Sequence, residues 1–65
     1  MINETNLESR LFDIYTYDED DGRCIGIHRM IPEDAYKAMA EEFHRQGMAV
    51  KVVDLEDGVI VYTLG

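Results

Sequence analysis

The sequence predicts a small α+β domain of ββαββ order, in which one helix packs on one face of a four-stranded, mainly antiparallel sheet. Three observations favour this class. Four short segments are rich in branched and aromatic residues, which is typical of strands. An acidic turn that contains glycine joins the two segments of each pair. A helical pattern that begins at the only proline separates the two pairs.

The first predicted hairpin joins strands over residues 11–17 and 23–30 through the turn 18–22. Aspartate tolerates turn geometry and glycine supplies the positive φ that tight turns require. Before this hairpin, residues 1–10 are polar and lack clear periodicity. We therefore expect a short N-terminal arm followed by a single domain over residues 11–65.

The faces of the first hairpin depend on the length of its loop. We expect a four-residue loop closed by Asp18 and Arg23. Because side chains alternate between the two faces of a strand, Ile25 and Ile27 would then lie beneath the helix.

The helix is expected over residues 32–46. Pro32 suits the first helical position, where its missing N–H has no partner within the helix. Gly47 suits the position just after the last helical residue. An apolar stripe at helical spacing predicts the face that packs on the sheet: Tyr36, Met39, Ala40 and Phe43.

The second predicted hairpin joins strands over residues 48–55 and 59–64. Asp57-Gly58 between apolar segments is a strong signal for a two-residue turn. Two strand orders keep the sheet fully antiparallel, 2-1-3-4 and 1-2-4-3, and a third arrangement places the second and third strands side by side and parallel. The sequence does not choose among them.

The strands carry more apolar surface than one helix can cover, so we expect the outer face of the sheet to be an interface. A second copy of the chain, a different protein or the N-terminal arm could cover it. A chain of this length has a marginal core, which also favours a homodimer. The residues predicted for this outer face are Leu11, Tyr15, Tyr17, Val53, Leu55, Ile60, Tyr62 and Leu64.

Charge and composition exclude several classes of protein. The 65 residues include 6 Lys+Arg and 14 Asp+Glu, which gives a net charge of −8. Such a surface repels phosphate, so direct binding of nucleic acid is not expected. No apolar segment approaches the roughly 18 residues of a membrane span, and we expect no secretory signal. Cys24 is the only cysteine, which excludes an internal disulfide and favours a cytoplasmic setting.

The sequence offers two weak candidates for chemistry. Asp13 is expected opposite His28, where a carboxylate could orient an imidazole base. Cys24 and His28 lie four residues apart on one strand, about 13 Å, which is too far for a nucleophile–base pair. The acidic run 18–21 does not match the spacing of a calcium-binding loop. We therefore expect no catalytic residues, no metal and no cofactor.

These observations predict a small acidic, non-enzymatic module that binds a protein with a basic surface. By analogy of size and charge, we expect an inhibitor of a nucleic-acid-handling protein, of the kind that phages encode. The alternative is a homodimeric structural or regulatory module that associates through its outer sheet face. The carboxylates predicted to contact a basic partner are Glu19, Asp20, Asp21, Glu33, Asp34, Glu41, Glu42, Glu56 and Asp57.

Overall fold

The computed structural model describes residues 10–65, so the expected arm over residues 1–9 lies outside the described part of the chain. The elements are β1 (Leu11–Asp18), β2 (Cys24–Pro32), α1 (Tyr36–Arg45), β3 (Met48–Asp54) and β4 (Ile60–Leu64). The four strands form one antiparallel sheet in the order β2-β1-β3-β4. The α+β class and the ββαββ order are confirmed, and the structure selects one of the open strand orders.

The core lies between α1 and one face of the sheet. The predicted apolar stripe of α1 faces it: Ala40 is buried, and Tyr36, Met39 and Phe43 pack against it. The ring centroids of Phe12 and Tyr36 are 4.3 Å apart, so aromatic contact joins the central strand to the first helical turn. The buried apolar residues are Phe12, Ile14, Ala40, Val50 and Val52.

The start of the helix differs from the prediction, whereas its end agrees. Pro32 is the last residue of β2, an edge strand, where a residue without an N–H is tolerated. Its carbonyl accepts a hydrogen bond from the N–H of Ala35 at 3.0 Å, and α1 begins only at Tyr36. Gly47 follows the helix with a φ of 96°, as expected for the residue that ends it.

The first hairpin closes around the predicted four-residue loop. The N–H of Asp18 donates to the carbonyl of Arg23 at 2.9 Å, and the N–H of Gly22 donates to the carbonyl of Asp18 at 2.8 Å. Two carboxylates also accept hydrogen bonds from backbone N–H groups of the loop. Asp18 Oδ1 accepts from the N–H of Asp20 at 2.8 Å, and Asp21 Oδ1 accepts from the N–H of Arg23 at 3.0 Å.

The second hairpin contains the same turn 36 residues later in the chain, and the predicted two-residue turn is wrong. The N–H of Asp54 donates to the carbonyl of Val59 at 2.9 Å, and the N–H of Gly58 donates to the carbonyl of Asp54 at 2.8 Å. The carboxylates of Asp54 and Asp57 accept from the N–H groups of Glu56 at 2.9 Å and Val59 at 3.2 Å. These bonds favour a four-residue loop over a tighter turn.

Both hairpins also have a β-bulge at the same place. In the first, Tyr17 pairs with Cys24 but Thr16 pairs with Gly26, so Ile25 is the extra residue. A bulge shifts the register by one residue, which moves every later side chain to the other face. The expectation that Ile25 and Ile27 lie beneath the helix is therefore wrong, and both are 51% exposed.

The bulge in the second hairpin has the same consequence. Val53 pairs with Ile60 but Val52 pairs with Tyr62, so Val61 is the extra residue. Tyr62 and Leu64 consequently pack against the core on the helix side of the sheet. Their predicted placement on the outer face is wrong.

Candidate protein-binding surfaces

The outer sheet face carries an apolar surface, though not with the predicted membership. Tyr15, Tyr17 and Val53 lie on it, since they alternate with residues that face the helix. Ile27, which pairs with Tyr15, also lies on the outer face, whereas Tyr62 and Leu64 lie on the helix side. Among the other predicted members, Leu11 is half-buried beside the buried Phe12, Leu55 is exposed just beyond β3, and Ile60 is exposed beside Val53.

Lys51 occupies the centre of this face. Its Nζ lies 5.7 Å from the ring centroid of Tyr15 and 5.4 Å from that of Tyr17. A cation over an aromatic face is attracted by the ring quadrupole. The two rings therefore orient the lysine across the apolar surface.

Asp13 supports the shape of β2 and does not lie opposite His28. Its side chain is on the outer side of the sheet and is almost fully buried, at 2% exposure. Asp13 Oδ1 accepts from the N–H of Met30 at 3.2 Å, and Oδ2 lies 3.4 Å from the Nε of Arg29. Met30 has a φ of 62°, which a non-glycine residue rarely adopts, at a second bulge in β2.

His28 lies on the helix side of the sheet, where it stacks on Phe43 with ring centroids 4.5 Å apart. The bulge at Ile25 places it opposite Ile14. The predicted contact between Asp13 and His28 is therefore not formed. Cys24 is exposed, and its thiol lies 3.6 Å from the carbonyl oxygen of Gly26.

All nine carboxylates predicted to contact a basic partner are exposed. They fall into groups at the two ends of the sheet, in the turn between β2 and α1, and on α1. Because β1 and β3 are antiparallel, the turn that follows β1 and the turn that follows β3 project from opposite ends. The first turn places Glu19, Asp20 and Asp21 at one end, and the second places Glu56 and Asp57 at the other.

Some of these carboxylates already have partners within the chain. Glu42 accepts hydrogen bonds from Arg45 and, at 3.1 Å, from the amide of Gln46, and these bonds lower its pKa. Glu41 accepts from the phenol of Tyr62 at 3.0 Å, which raises the pKa of that tyrosine.

The two turns differ in how far cations neutralise them. Arg10 bridges Asp54 at 2.7 Å and Glu56 at 3.1 Å in the second turn, and Arg23 lies 3.7 Å from Asp21 in the first. Over residues 10–65, six exposed carboxylates form no ion pair with Lys or Arg: Glu19, Asp20, Glu33, Asp34, Glu41 and Asp57. These side chains are the ones most accessible to a basic partner.

The acidic run 18–21 is arranged as a turn. Asp18 and Asp21 direct carboxylate oxygens to backbone N–H groups of the same loop. In the described part of the chain, no group of three His, Cys, Asp or Glu side chains is placed to hold a metal ion. The carboxylates of the first turn therefore do not converge on a cation-binding site.

Comparison with known proteins gives no significant match: no family model, no curated protein and no solved structure matches the chain. In residues 10–65, no helix is both long enough and apolar enough to cross a bilayer.

Proposed function

We propose that the protein is a non-enzymatic module that binds another protein by presenting its acidic turns to a basic surface. The observation that carries this proposal is the repeated turn, which holds exposed carboxylates at both ends of the sheet. A net charge of −8 makes a basic partner electrostatically favoured and a nucleic acid disfavoured.

The rigidity of the turns supports recognition rather than solubility alone. Each loop is closed by two backbone hydrogen bonds and held by two further bonds in which its own aspartate carboxylates accept from backbone N–H groups. Binding that starts from a preformed loop loses less conformational entropy than binding that must order a flexible one. Charges needed only for solubility require no such order.

The partner class follows from the charge. A protein that handles nucleic acid carries a basic surface, and an acidic module seated there would inhibit it. The protein would then act as an inhibitor, by analogy with small acidic inhibitors of the phage type. The proposal also includes a cytoplasmic location.

Capture from a lysate of the source cells, with quantitative mass spectrometry, tests the proposal. The test variant Glu19→Gln/Asp20→Asn neutralises two carboxylates of the first turn that form no ion pair with Lys or Arg. The control variant Glu41→Gln/Glu42→Gln removes the same charge from α1, outside both turns, where Tyr62 and Arg45 already hydrogen-bond to these carboxylates. We expect the captured protein to be basic and to be lost with the test variant but retained with the control.

Two outcomes of this capture contradict the proposal. Equal loss with both variants would mean that only net charge matters. Retention of the partner with both variants and in high salt would exclude recognition by charge.

A second candidate is a homodimeric module that associates through the outer sheet face. The exposure of Ile27, at 51%, beside the half-buried Tyr15 favours it. An Ile27→Lys variant should then be monomeric by sedimentation at concentrations where the unmodified chain is a dimer.

A further inference from the structure

The two edge strands of the sheet differ in how well they are protected against pairing with another strand. β2 carries Arg29, ends in Pro32 and contains a second bulge at the left-handed Met30. Charge, proline and bulges are the devices by which edge strands avoid further pairing. β2 is therefore a protected edge.

β4 occupies the equivalent place in the second hairpin and lacks most of this protection. No charged side chain and no proline occurs from Val59 to Gly65. Val59 and Ile60 are each 52% exposed, and Val61 is 42% exposed. Among residues 10–65, only the bulge at Val61 and the length of five residues limit pairing at this edge.

We propose that the free edge of β4 pairs with β4 of a second copy of the chain, in antiparallel orientation. The two four-stranded sheets would then form one sheet of eight strands with β4 and its copy at the centre. This contact uses the backbone edge of β4 rather than the carboxylates of the turns or the side chains of Tyr15, Tyr17 and Ile27, so it does not rest on the function proposed above.

The charges beside the β4 edge favour a second copy of the chain as the partner that pairs with it. Tyr62 of β4 lies beside two residues of α1: the Nζ of Lys37 is 5.8 Å from its ring centroid, and Glu41 accepts its phenolic hydrogen bond. A two-fold axis near Tyr62 makes the two helices antiparallel, which brings Lys37 of one copy towards Glu41 of the other. The edge is thus self-complementary in charge, whereas the turns at the two ends of the sheet carry exposed carboxylates.

The proposed dimer responds to salt in the opposite sense to binding of a basic partner. Two chains of charge −8 repel each other, and salt screens this repulsion. The Debye length falls from ~30 Å at 0.01 M to ~8 Å at 0.15 M ionic strength. Dimerisation should consequently strengthen with salt over this range, because the repulsion between two chains of charge −8 exceeds the attraction of the exposed Lys37–Glu41 pairs.

Analytical ultracentrifugation of the full chain over roughly 1–500 μM tests the proposal. The test variant is Val61→Lys, at the bulge of β4. Its control is Ile25→Lys, which adds the same charge at the equivalent bulge of β2. We expect Val61→Lys to raise the dimer dissociation constant at least tenfold and Ile25→Lys to change it less than threefold.

Ile27→Lys separates this contact from the outer sheet face and should leave the edge dimer intact. A monomer throughout the concentration range would overturn the proposal, as would equal dissociation by Val61→Lys and Ile25→Lys or a loss of the dimer with Ile27→Lys. If Val61→Lys does not fold, backbone hydrogen exchange of the unmodified chain decides. Residues 60–64 must then exchange at least tenfold more slowly at high concentration, and exchange independent of concentration overturns the proposal.

Discussion

The repeated turn predicts that Gly22→Ala and Gly58→Ala destabilise the protein by the same amount. Both glycines have a φ of 73°, a conformation that non-glycine residues adopt at a cost of about 1–2 kcal/mol. A Cβ placed at either glycine would meet no atom within 4 Å. The substitution therefore costs only the energy of holding alanine in the left-handed conformation, with no added clash. We therefore expect each substitution to lower the free energy of unfolding by about 1 kcal/mol, after the smaller entropy of the unfolded alanine chain is included.

Urea denaturation followed by circular dichroism measures both effects. Gly22→Asn and Gly58→Asn provide controls, because asparagine tolerates the left-handed region and should lose less stability. The turns lie at opposite ends of the sheet, so the double alanine variant should lose the sum of the two single effects, within about 0.5 kcal/mol. A loss at one glycine without a loss at the other would refute the equivalence of the turns.

Other predictions concern the polar contacts of Asp13 and Tyr62. Asp13→Ala leaves the N–H of Met30 without its acceptor and should cost about 2 kcal/mol in urea denaturation, with a smaller loss for Asp13→Asn. The hydrogen bond to Glu41 is the chief reason that the pKa of Tyr62 is raised above the ordinary tyrosine value of 10.0. The protonated tyrosine therefore contributes fully to the stability of the fold below pH 10.0, and the contribution is lost as the pH rises through the folded pKa. Glu41→Gln should lower the pKa of Tyr62 in an NMR titration of its ring, and an unchanged value would show that the hydrogen bond has no effect.

The class of fold could be predicted because helices and strands each require a characteristic spacing of apolar residues along the sequence. The stripe of α1 and the alternation of β1 and β3 identify the elements, and burial of one face requires the helix to cover the sheet. The strand order could not be predicted, since two antiparallel arrangements satisfy the same connections.

The residues of the outer face could be predicted only in part, because bulges shift the register without changing the hydrophobic pattern. Ile25 and Val61 are both β-branched and apolar, and either could be a paired strand residue. A signal for the bulges was present in the repeated sequence Asp-x-x-Asp-Gly, which begins at Asp18 and again at Asp54. The exposed carboxylates were simpler to predict, since charged side chains in turns and on the polar face of a helix remain in water.

Recognition of a basic surface by the acidic turns is tested most directly by the affinity for the captured partner as a function of salt concentration. Isothermal titration calorimetry with the unmodified chain and with Glu19→Gln/Asp20→Asn gives the two dependences. We predict that the unmodified chain loses at least about tenfold in affinity between 0.05 and 0.3 M salt, and that the variant binds more weakly with a shallower dependence. An affinity that is independent of salt and equal for the two chains would contradict a role for the turn carboxylates.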